Sequence, residues 1–111
     1  MNVSFEEIGH LSATFVCEQG TAGQLCKLTA NGKVAPCADG DRFCGLVECV
    51  RQGVAGVQLH GFAELSYTGS APTVGYANLQ ADGHGGVKAA GTQAYLVVSV
   101  NTADKTAVIE L

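Results

Sequence analysis

The stretch from Phe43 to Thr68, FCGLVECVRQGVAGVQLHGFAELSYT, constrains the fold more than any other part of the chain. It holds two apolar, β-prone runs, FCGLVECV and VAGVQLHGFAELSY, separated only by Arg51-Gln52-Gly53. In the second run Val57, Leu59, Gly61, Ala63, Leu65 and Tyr67 share one parity. Gln58, His60, Glu64 and Ser66 take the other, with Phe62 as the one exception. This period-2 alternation marks a strand with one buried and one wet face. No catalytic motif lies inside it.

The rest of the chain repeats the theme in shorter pieces. Residues 1–11 read as a flexible N-terminal arm, and residues 12–111 as the β core of a single domain spanning 1–111. Strand-like runs are expected at Ser12–Cys17, Gln24–Thr29, Val34–Cys37, Thr73–Leu79 and Val87–Ala89. A closing hairpin, Tyr95–Val100 with Thr106–Leu111, ends the sequence. Asn31-Gly32 predicts a type I′ hairpin turn, since both central residues of that turn need positive φ. Pro36 places its strand at an edge, because proline donates nothing to a ladder. Gln19–Leu28 is the best helix candidate, weakened by Gly20 and Gly23. About eight to nine short strands, with turns every eight to twelve residues, predict an all-β fold, a small β-sandwich or β-barrel.

Composition agrees. The chain of 111 residues is 47% hydrophobic and only 14% charged, with 15 glycines. That suits a compact, turn-rich β protein with bland surfaces. The six basic residues are scattered, so no nucleic-acid footprint is expected. No apolar run approaches the roughly 18 residues of a membrane span, so no membrane partner is expected. Glu6 and Glu7 stand where a signal peptide would be basic, which predicts synthesis in a cytoplasm without signal-peptide export.

Motif chemistry is sparse. The five cysteines, Cys17, Cys26, Cys37, Cys44 and Cys49, are odd in number, so they cannot all pair within one chain. Their separations match no C-x2-C metal pattern, and their apolar contexts predict buried packing. His10, His60 and His84 lie in no ligand spacing, and His60 falls on the polar parity of its strand. Gly83-His84-Gly85-Gly86 superficially resembles a phosphate loop, but it lacks GxxxxGK[ST] and a following helix, so a turn is expected. Asp39 and Asp41 flank Gly40 in a spacing suited to a solvated turn. Catalytic, cofactor-binding and metal-binding residues are therefore all read as none.

The order of features carries a resemblance. A short arm leads into GTAGQLCKL; a variable hairpin ends in NGKVAPCADGDRFCGLVECV; the strand VQLHGFAELSYTG follows; then come VGYANLQADGHGGVKAAG and the terminal pair YLVVSVNTADKTAVIEL. From Ser12 to Leu111 this resembles the small head decoration, or capsid cement, proteins of tailed phages and prophages. The resemblance implies a non-enzymatic virion structural protein, made in the bacterial host cytoplasm. Such a protein binds the outer surface of the expanded capsid, with the phage major capsid protein as partner, and needs no cofactor. It further implies a homo-oligomer, often a trimer at local three-fold axes, though dimers and bound monomers also occur. Val3, Phe5 and Ile8 of the arm are the candidate capsid- or protomer-contacting residues.

Two other readings stay open. A small barrel that binds a ligand or carbohydrate predicts a pocket lined by the available tyrosines, Tyr67, Tyr76 and Tyr95. A cysteine-dependent enzyme requires a thiolate beside a histidine.

Overall fold

The computed structural model describes residues 11–111; the arm residues Val3, Phe5 and Ile8, and His10, lie outside the described residues. All regular structure among the described residues is β, in eleven strands: β1 (Leu11–Val16), β2 (Leu25–Ala30), β3 (Lys33–Pro36), β4 (Gly45–Arg51), β5 (Val54–His60), β6 (Phe62–Thr68), β7 (Gly75–Asn78), β8 (Gln80–Ala81), β9 (Val87–Lys88), β10 (Ala94–Asn101) and β11 (Thr106–Glu110). The expected eight or nine strands undercount by splitting too little. The long alternating run is two strands, and Gln80–Ala81 pairs on its own account. Gln19–Leu28 is no helix: Gly23 sits at φ 89° and the chain enters β2 two residues later.

The strands divide into a closed five-stranded barrel, in the order β1-β3-β2-β4-β5, and a six-stranded sheet, β7-β10-β11-β6-β9-β8. Barrel closure has two unequal sides. β1 pairs with β5 along its whole length, but with β3 through the single parallel partnership Val16↔Lys33. The barrel interior holds Cys17, Cys26, Val34, Val47, Ala55 and Val57. These are small side chains, as a barrel of so few strands requires. Gly45 opens β4 where a Cβ would lie 2.5 Å from the Gln58 carbonyl oxygen and 2.7 Å from Val57 Cγ1. Its bare backbone is what lets β4 close on β5.

Gly61, at φ 106°, is the joint between barrel and sheet. The parity read from the sequence survives the joint: Val57, Ala63, Leu65 and Tyr67 are buried, while His60, Glu64 and Ser66 are exposed. Phe62, the apparent exception, does lie on the exposed face. Gln58 breaks the pattern by turning inward, 4% exposed. Its Nε2 donates to the carbonyls of His60 (3.2 Å) and Phe62 (3.0 Å), tying together the two sides of the joint. A buried amide is tolerated only when bonded in this way.

Turn chemistry is partly as expected. At Asn31-Gly32 only Gly32 has positive φ, and the β2–β3 register shifts between Leu28 and Ala30. It is Gln52-Gly53, at φ 51° and 79° between the paired residues Arg51 and Val54, that has the two positive φ values of a type I′ turn. Pro36 ends β3, which lies between β1 and β2 in the closed barrel, so the expected edge position does not hold; the missing donor is tolerated at the strand's last residue.

The second core lies in the six-stranded sheet, built on Ala63, Leu65, Tyr67, Leu79, Val87, Val97, Ala107 and Ile109. Leu25 and Phe43 belong to this core although Leu25 is on barrel strand β2 and Phe43 leads into β4. Backbone bonds reinforce the junction. Leu25 N–H donates to Gly85 O (3.1 Å), Gly40 N–H to Ala81 O (2.9 Å), and Ala81 N–H to Asp41 O (3.0 Å).

Candidate functional site

The junction between barrel and sheet leaves an open groove of about 570 Å³. One wall comes from Lys27 and Leu28 on β2 and from the Asp41–Cys44 segment leading into β4. Leu59 and His60, at the end of β5, form its floor beside the Gly61 joint. Gln93, Tyr95 and Leu111 bring in the second sheet. Each wall is far from the others in sequence, so only the long-range pairing of β2, β4 and β5, and of β10 with β11, assembles the groove.

Its electrostatics are organised by one ion pair. Lys27 Nζ lies 2.6 Å from Asp41 Oδ2, and the same oxygen accepts the Ala38 N–H at 2.8 Å. Both bonds favour the carboxylate and hold the Asp41 carboxyl below its ordinary range, while Asp41 raises Lys27. Phe43 stacks on Tyr95 with ring centroids 4.8 Å apart and an interplanar angle of 18°. Burial pushes the Tyr95 hydroxyl up, opposed in part by its hydrogen bond with Arg42. His60 is exposed at the rim, as expected, with Nδ1 at 3.5 Å from the Leu111 carbonyl oxygen.

Three cysteines gather behind this wall. Cys26, in the barrel interior, lies near both Cys44 and Cys37. Cys44 N–H donates to Cys26 O at 2.8 Å, and Cys37 N–H to Leu25 O at 3.3 Å. The Cys26 thiol contacts the Cys44 sulfur and also faces Gly45 O at 3.6 Å. That contact lowers the Cys44 thiol to about 7, helped by backbone N–H groups including that of Leu28. It raises Cys26, as burial does, and burial foremost raises Cys37 to about 12. The expectation that the cysteines pack as buried hydrophobes holds for Cys17 and Cys26 only. Cys37 and Cys44 are half-buried and Cys49 is exposed. Among the described residues no three His, Cys, Asp or Glu side chains are arranged to hold a metal ion.

The remaining sequence candidates are structural. Asp82 is buried, and its Oδ1 accepts the His84 and Gly86 N–H groups at 2.7 and 3.1 Å. The chain's own carboxylate thus sits where a phosphate loop would hold its anion. Gly86 is required because a Cβ there would lie 2.2 Å from Ser66 O. Asp39 is ion-paired with Lys88, and Asp41 with Lys27, so the Asp-Gly-Asp turn is a junction anchor. The tyrosines do not converge: Tyr95 lines the groove, Tyr67 is buried in the sheet, and Tyr76 is exposed on β7.

A second surface is apolar. β7 ends the order of its sheet, and it exposes Tyr76 (78%) after Val74 (62%). On the barrel, the cross-strand partners Val16 and Val54 are both exposed.

Compared with known proteins, the chain matches no protein-family model, no curated protein and no solved structure.

Proposed function

We propose that this chain is a non-enzymatic decoration protein that binds the outer surface of an expanded phage capsid and stabilises the shell. The observation that carries the reading is the β7 edge, a four-residue outermost strand whose Tyr76 is exposed, with exposed Val74 just before it, on a body of low charge. An exposed sheet edge with apolar side chains beside it invites strand addition or a partner surface. The order of β segments that gives the resemblance supports the same reading. A cement protein stabilises its target by binding only the assembled, expanded lattice, as any ligand specific to one state stabilises that state. Many copies per shell multiply a modest contact free energy.

In this reading the arm residues Val3, Phe5 and Ile8 reach the major capsid protein or a neighbouring copy, and the bound form is a homo-oligomer, with a trimer favoured. The test is the copy number on purified heads, quantified by mass spectrometry against the major capsid protein. A simple lattice ratio is expected; absence, or a few copies per particle, sinks the reading. Deleting residues 1–11 is expected to weaken capsid binding, and unchanged saturation removes the arm's role.

The groove favours a second reading, a small-ligand binding module. Its volume falls within the roughly 300–1,000 Å³ of ligand sites, and the stacked Phe43–Tyr95 pair supplies an apolar surface beside charged groups. Chemical-shift changes confined to groove residues in a fragment screen would favour it.

A further inference from the structure

Cys44 and Cys26 stand in a relationship that simple packing does not call for. Cys44 lines the open groove, whereas Cys26 is 1% exposed directly behind it. Their backbones are bonded neighbours through Cys44 N–H and Cys26 O at 2.8 Å. Across the β2–β4 ladder Cys26 faces Gly45, and Cys44 is the residue just before Gly45. A disulfide needs Cα atoms about 4.4–6.8 Å apart, a separation that a direct backbone hydrogen bond allows. Each of the two thiols shifts the other's ionisation.

We propose that Cys44 and Cys26 form a redox-active thiol pair, in which Cys44 meets a peroxide-class oxidant entering the groove and Cys26 closes the disulfide behind it. The division of labour follows from the surroundings. Cys44 is lowered to about 7, so a large share of it is thiolate at neutral pH. Cys26 keeps its proton through its hydrogen bond with Cys44 and through burial, and Cys37 keeps its own chiefly through burial. A thiolate is the attacking form, so the groove presents one reactive sulfur rather than three.

The chemistry balances. The Cys44 thiolate attacks one peroxide oxygen, the O–O bond breaks, and the leaving hydroxide takes up a proton to become water. Cys44 is then a sulfenic acid. The Cys26 sulfur attacks the Cys44 sulfur, the S–O bond breaks, and the Cys26 proton leaves with the hydroxide as a second water. Two thiols lose two electrons, and one peroxide becomes two waters. The product staples β2 to the residue that enters β4. A metal reading of the same sulfurs is disfavoured, since no three-ligand arrangement exists among the described residues.

The test uses the full reduced chain, treated with limiting hydrogen peroxide at neutral pH. Remaining thiols are then capped and the protein is digested with trypsin without reduction. Lys27, Lys33 and Arg42 put Cys26, Cys37 and Cys44 on separate peptides, and fragment spectra separate Cys26 from Cys17 and Cys44 from Cys49. The expected product is monomeric, carries a Cys26–Cys44 link, and loses that link in Cys44→Ser. A measurement on the unmodified sequence guards against a misfolded variant: iodoacetamide should alkylate Cys44 at least tenfold faster than Cys37 at neutral pH, with a rate midpoint near 7. The proposal is overturned if Cys44 ends as sulfinic acid, if it links to Cys37, if oxidation joins chains through exposed Cys49, or if no thiol is oxidised. It is equally overturned if the alkylation rate of Cys44 shows no midpoint below the ordinary thiol range.

Discussion

A single methyl group tests the closest approach in the barrel. Gly45→Ala places a Cβ 2.5 Å from the Gln58 carbonyl oxygen, a backbone atom that cannot swing aside. Overpacking of this sort costs about 1–3 kcal/mol. We expect a matching drop in denaturant midpoint with an unchanged slope, read by urea titration. The thiols give a pH test at the same scale. Cys37 keeps its proton up to about 12 when folded but ionises near 9.0 when unfolded, and Cys26 is shifted the same way. Between those pH values the unfolded chain binds fewer protons, so stability must fall as pH rises from 9 toward 12. Cys44 works in the opposite sense and adds stability from about 7 to 9. Thermal melts across this range should therefore hold or rise slightly to pH 9 and then decline, and Cys37→Ala should flatten the decline. Little of this was legible in the sequence. Cys49 illustrates why: it shares parity with buried Val47, yet the β4–β5 register shifts between them and turns Cys49 outward over Gly56. A bulge is set by pairing with another strand, and no local pattern announces it.

At the scale of elements, the alternation in residues 57–67 was legible because each residue sees one wet and one dry side whatever sheet it joins. What the pattern concealed was the break at Gly61. Parity runs unchanged through the joint, so a glycine on the buried parity reads as a small core residue rather than as a corner. The inward turn of Gln58 was hidden for the same reason, since its role is to bond the carbonyls on either side of that corner. Gly61→Ala forces a side chain into a φ of 106°, at a cost of about 1–3 kcal/mol. Because the joint positions Leu59 and His60 in the groove, the substitution should also shift the Cys44 alkylation rate, whereas Gly69→Ala, another positive-φ glycine away from the groove, should not. The groove itself was invisible beforehand, since no local window holds residues from β2, β5 and β10 together.

For the whole molecule, the decisive contact is Leu25. It belongs to a barrel strand but packs in the core of the sheet, and its N–H bonds the Gly85 carbonyl. Leu25→Ala should cost about 2–5 kcal/mol, the range for a buried leucine. Calorimetry should give one transition for the parent chain, and a split into two for Leu25→Ala would mean that the barrel and the sheet melt separately once unlinked. The barrel has its own weak point. A ring with one ladder far thinner than the rest is a hoop with a clasp, and the clasp here is the lone partnership of Val16 with Lys33, thinner even than the two partnerships between β2 and β4. Transient opening should start there, letting deuterium reach the Val16 amide well before the amides of β4 and β5, and offering the Lys33 bond to trypsin first. A molecule so built can flex its bore without parting its sheet, as a bracelet is loosened without breaking a link.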